Sequence, residues 1–82
     1  MKARIRLETI TDIGNFVFAV AHATGKNDQV WVTDGKGSRI SGTSFLGLIA
    51  TREFNKIYVE SEKDIYTKIK DFVVEEDVYE TD

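Results

Sequence analysis

Apolar and polar residues alternate from Met1 to Leu7. Ala3, Ile5 and Leu7 point one way and Lys2, Arg4 and Arg6 the other. That period predicts a strand with one buried face and one basic, solvated face. Thr9, Thr11 and Asp12 then compete to cap a helix. Ile13, Phe16, Val17, Val20 and, less centrally, Ala21 follow at helical spacing, with Gly25 placed to end it. Gly14, Asn15 and two β-branched valines make this helix weak by propensity, so burial must hold it. After a polar connection at 26–28, Val30 and Val32 oppose Trp31 in a second strand. Asp34, Gly35, Lys36 and Gly37 form a turn, and 38–41 returns as the other arm of a hairpin. Residues 40–51, ISGTSFLGLIAT, pass from a strand end through Gly42 into a short helix. A turn at Asn55 and Lys56 leads to a fourth alternating strand, 57–60.

Ser61 followed by Asp64 has the spacing of a capping box, and predicts a last helix with Ile65, Ile69, Phe72 and Val73 as its buried stripe and Tyr66 at its edge. Lys68 and Lys70 lie toward the C-terminal end of that helix, where cations suit the dipole. The order β-α-β-β-α-β-α, with all helices on one side of a four-stranded sheet, predicts a two-layer α+β domain with its second sheet face open.

Charge divides the chain. The net charge of −3 is concentrated in 75–82, EEDVYETD, which holds five of the 14 acids and no base. The body, 1–74, keeps nine acids against all 11 bases, a net of +2. The expectation is one domain over 1–74 and an acidic tail over 75–82, the latter too poor in apolar area to offset the entropy of ordering. No internal repeat is found. The absence of cysteine excludes a disulfide framework and thiolate metal sites. No signal peptide and no apolar run of membrane-spanning length occur, so a soluble, cytoplasmic protein without membrane contact is expected. No cofactor is implied. The lone histidine, His22, supplies one ligand where a metal needs three or four, and no metal site is expected.

The most informative stretch is the short helix. Thr43 and Ser44 stand where side-chain oxygens can accept from free backbone N–H groups. Phe45, Leu46, Leu48 and Ile49 give more apolar surface than one face of so short a helix can bury. Two readings stand side by side. Ser44 is a helix cap on a core element, or it is a phosphorylatable switch beside a docking surface, where a phosphate would meet the positive helix end.

The element order and the run from 40 to 73 resemble HPr, the histidine-containing phosphocarrier of the bacterial sugar phosphotransferase system. The shared pattern is a small polar pair, a serine, two apolar residues, a glycine and further apolar residues (SFLGLI), then a turn, the strand KIYVES and a final helix. The resemblance implies an antiparallel sheet of order 1-4-2-3 under three helices. It also implies that Ser44 occupies the position that a dedicated serine kinase phosphorylates in many family members, and that Phe45, Leu46 and Ile49 form the patch on which protein partners dock. The departures are equally specific. Where the family carries Gly-(Leu/Ile)-His-Ala-Arg-Pro-Ala, this chain has TDIGNFVFAV. Asp12 or Ile13 falls at the histidine position, Asn15 lies near the arginine position, and the proline is missing. Thr43 also replaces the usual lysine before the serine. His22 falls late in the first helix, far from its positive end.

The sequence therefore implies an HPr-like protein without phosphocarrier chemistry, not an enzyme, acting as a regulatory or adaptor protein through Phe45, Leu46 and Ile49 with Ser44 as the control point. A function of another class competes with it. Trp31 and Tyr58 on the open sheet face, with Arg4, Arg6 and Arg39 nearby, have the composition of a stacking platform for RNA or single-stranded nucleic acid. The acidic tail and the small basic excess argue against a nucleic-acid partner.

Overall fold

A computed structural model of the chain describes residues 1–25 and 29–74. The polar connection at 26–28 and the acidic tail at 75–82 lie outside the described residues. The first strand, β1, spans Lys2–Ile5, and helix α1 spans Ile10–Ala23. Strands β2 (Val30–Thr33) and β3 (Arg39–Ser41) form the hairpin. Helix α2 (Phe45–Ile49) continues into a 3-10 turn over Ala50–Glu53. Strand β4 (Ile57–Ser61) precedes α3 (Tyr66–Ile69), which tightens into a 3-10 turn over Lys70–Phe72. The sheet is antiparallel throughout, in the order β1-β4-β2-β3. The fold is thus the α+β arrangement with sheet order 1-4-2-3 and three helices that the sequence led us to expect.

The alternation in β1, β2 and β4 sorts the sheet into two faces. Ile5, Val30, Val32, Ile57 and Val59 join Ile13, Phe16 and Val20 of α1, Leu48 of α2, and Ile65 and Ile69 in one buried cluster. Phe72 meets Phe16 edge to face, with ring centroids 5.4 Å apart, a favoured aromatic geometry. The competition among three candidate caps of α1 resolves at Thr9. Its Oγ1 accepts from Asp12 N at 3.0 Å, while Asp12 Oδ2 accepts from Thr9 N at 3.2 Å and from Glu8 N at 3.0 Å. This capping box satisfies donors that the first helical turn otherwise leaves open. At the other end, Thr24 is extended and its hydroxyl donates to Val20 O. Ala21, at the margin of the expected stripe, is exposed.

The last helix differs from expectation. Ser61 is not its cap but the final residue of β4, paired with Val30 and donating its N–H to Met1 O at 2.9 Å. Its hydroxyl donates to Lys63 O. The sheet claims Ser61, and α3 starts five residues later behind Ile65, whose side chain cannot cap it. Asp64 Oδ1 accepts from Tyr66 N instead. Val73 leaves the helical stripe altogether and bridges to Ile5 on the outer edge of β1. Arg6 N donates to Phe72 O and Val74 N to Arg4 O, both at 2.9 Å. The backbone after α3 thereby pairs with an edge strand that would otherwise present open N–H and C=O groups.

Candidate docking site on the helix at Ser44

Ser44 is extended, and its Oγ accepts from Gly47 N at 3.1 Å while its carbonyl accepts from Leu48 N. This is the N-cap arrangement. Thr43, the other candidate, takes no part in it and exchanges hydrogen bonds with Ser41 instead. Two glycines let the segment seat so closely. A Cβ on Gly42 would stand 2.9 Å from Val30 Cγ1, and Gly42 N donates to Val30 O at 2.8 Å. Gly42 is therefore needed for close approach and does not adopt a positive φ. A Cβ on Gly47 would stand 2.8 Å from Ile40 Cγ2 and 2.9 Å from Ser44 Oγ. The absence of a side chain at 47 presses α2 against β3 and holds Ser44 in place.

So short a helix cannot hide four large apolar side chains. Leu48 is fully buried, a contribution of about 2 kcal/mol, and Ile49 is half-buried against the core. Phe45 is 37% and Leu46 79% exposed. Of the three residues expected to meet a partner, two face outward, and Ile49 serves mainly to anchor the helix.

The surface extends onto α1 through residues the sequence reading missed. Phe18 is 66% and Ile10 46% exposed. Ile10, Gly14 and Phe18 recur every four residues and so share one ridge of α1. The Phe45 ring reaches that ridge at Gly14, 3.8 Å from where a Cβ would stand. Gly14 is thus a seat for Phe45 between two exposed apolar side chains. The signal was available, because Phe18 is a large apolar residue that does not belong to the buried stripe of Ile13, Phe16 and Val20. His22 lies against Phe18, ring centroids 4.1 Å apart, and its Nδ1 donates to Phe18 O at 2.9 Å. It is exposed at the C-terminal end of α1, about 20 Å along the helix from the capping box.

Ile13 is completely buried, and the carboxylate of Asp12 accepts from two backbone N–H groups. Among the described residues no group of three or more His, Cys, Asp or Glu is arranged to hold a metal. No helix among them is long and apolar enough to cross a membrane.

The open sheet face carries two rows set by the register. Lys2, Glu60, Trp31 and Ser41 form one, and Arg4, Tyr58, Thr33 and Arg39 the other. Trp31 and Tyr58 therefore stand on neighbouring strands, as expected, but diagonally and not opposite one another. Each ring has a cation over it: Arg39 at 4.6 Å from the Trp31 centroid and Lys2 at 5.2 Å from that of Tyr58. Arg4 is the residue opposite Tyr58, and Lys2, which lies over the Tyr58 ring, also pairs with Glu60 at 3.6 Å. Arg6, one position past Ile5, pairs with Glu8.

No family model, no curated protein and no solved structure matches this chain.

Proposed function

We propose that this protein is a non-catalytic adaptor or regulator of HPr type, docking a protein partner on the apolar surface made by Phe45 and Leu46 of α2 with Ile10 and Phe18 of α1. The observation that carries this reading is the exposure of Leu46, on a helix pinned beside it by the Ser44 cap and the Gly47 approach. A large apolar side chain on a pinned element is a preorganised anchor, and ordering it on binding costs little. Ser44 lies immediately before Phe45, so a phosphate on its hydroxyl would offer further acceptors to the free N–H groups of the helix and put about two negative charges at the rim of that surface. Such a modification would act on docking directly. The buried Ile13 and the occupied Asp12 carboxylate leave no acceptor at the family's phosphoryl position, which supports a role without phosphoryl transfer. The cations lying over Trp31 and Tyr58 would have to be displaced before a base could stack there, which favours the helical surface over the sheet face.

The test is affinity capture from the host followed by titration of the captured partner. Leu46→Ser should lose the partner, and Arg39→Gln on the sheet face should keep it. Ser44→Asp and Ser44→Ala should then differ about tenfold or more in affinity. Retention of the partner by Leu46→Ser would overturn the proposed surface, and equal affinities for the two Ser44 variants would reduce Ser44 to a cap.

A further inference from the structure

Away from the helical surface, the end of β1, the 3-10 turn after α2 and the approach to β4 enclose a small cleft of about 120 Å³. Its lining includes Arg4 and Arg6 from the first segment, Arg52 from the 3-10 turn, and Asn55 and Lys56 from the turn before β4; among the described residues no acidic one lines it. The register explains the convergence. Arg4 pairs with Tyr58 and Ile5 with Ile57, so Arg6, just after Ile5, and Lys56, just before Ile57, leave the sheet at the same end, beside the cleft. Like charges gathered at one cleft repel. Arg52 adds a third cation from a different element. Among the described residues neither Arg52 nor Lys56 is in an ion pair, and the one acid that Arg6 meets, Glu8, lies outside the cleft at 3.6 Å between largely exposed groups.

We infer that this cleft binds a phosphate group. A concave site lined by one sign of charge concentrates potential and calls for a counter-anion. The guanidinium fork matches a tetrahedral oxyanion, and the Lys56 ammonium adds a point charge. The cleft has room for one compact group. A phosphate monoester near pH 7.5 carries close to two charges on three acceptor oxygens and matches several converging donors better than a single carboxylate does. The chemistry is shared by free phosphate and by phosphate carried on a small molecule.

The test is amide NMR of the isotope-labelled full chain at constant ionic strength, titrated separately with inorganic phosphate, phosphoserine and hexaglutamate. The amides of Arg6, Arg52, Asn55 and Lys56 should shift together and saturate at about millimolar phosphate. Phosphoserine should act at the same amides, and the tighter of the two identifies free or carried phosphate as the ligand. Arg52→Gln and Lys56→Gln should each weaken binding about tenfold, whereas Lys36→Gln in the hairpin turn should not. Tighter binding of hexaglutamate than of either phosphate, or unchanged phosphate affinity in the Arg52→Gln/Lys56→Gln double variant, would overturn the inference.

Discussion

Gly47 shows how one missing side chain decides the geometry of the candidate site. In a helix, alanine is favoured over glycine by about 1 kcal/mol. Here the added methyl would come within 2.8 Å of Ile40 Cγ2 and 2.9 Å of Ser44 Oγ. Overpacking of that kind costs about 1–3 kcal/mol and would also disturb the cap. Gly47→Ala should therefore lower stability by about 1 kcal/mol in denaturant unfolding; a gain in stability would mean that α2 can move away from β3. Asp34 gives a second prediction at this scale. The Lys36 N–H, donating to Oδ1 at 2.7 Å, holds the Asp34 carboxyl below the ordinary aspartate range, with the Ser38 N–H assisting. A lowered folded-state value means that the ionised carboxylate supports the turn above the ordinary aspartate pKa, and that this support is lost as pH falls through the lowered value. The amides of Lys36 and Ser38 should accordingly lose protection only once pH has fallen below the ordinary aspartate range, and Asp34→Asn should abolish that pH dependence. Retention of the full pH dependence in Asp34→Asn would move its origin elsewhere.

Whether an element was legible depended on whether local pattern and tertiary pairing agree. In β1, β2 and β4, one face is buried and the other open, so a period of two appears directly in the sequence. The Ser44 cap was legible for the same reason: the residues that make it are three apart and nothing else claims them. Ser61 has an equally good local pattern, Ser61 followed by Asp64, but pairing with Val30 and with the backbone of Met1 takes precedence. Local spacing carries no information about those distant partners. Val73 likewise fits a helical stripe and ends up beside Ile5. Phe18 was legible in principle, as a large apolar residue off the buried stripe, whereas its relation to Phe45 depends on the packing of α1 on α2. The pairing after α3 predicts that the Val74 amide, which donates to Arg4 O, exchanges with solvent far more slowly than the amide of exposed Glu62. Comparable rates would show that the edge of β1 is open in solution.

For the whole molecule, three surfaces separate. The apolar one lies across α1 and α2, the small cationic cleft lies where β1, the 3-10 turn and the start of β4 meet, and the open sheet face has its aromatic rings covered by Arg39 and Lys2. Only the first combines an exposed anchor with an adjacent modifiable hydroxyl. Because Leu46 is largely exposed, Leu46→Ser should change stability by no more than about 0.5 kcal/mol, so lost binding in that variant can be separated from lost folding. The most direct measurement is site-specific photo-crosslinking in the host, with the photoreactive residue placed at position 46 and, separately, at position 36 in the β2–β3 turn. The docking account predicts discrete protein adducts from position 46 that disappear when Phe18→Ser is added, and none of these adducts from position 36. No adduct from position 46, or the same adducts from both positions, would contradict it.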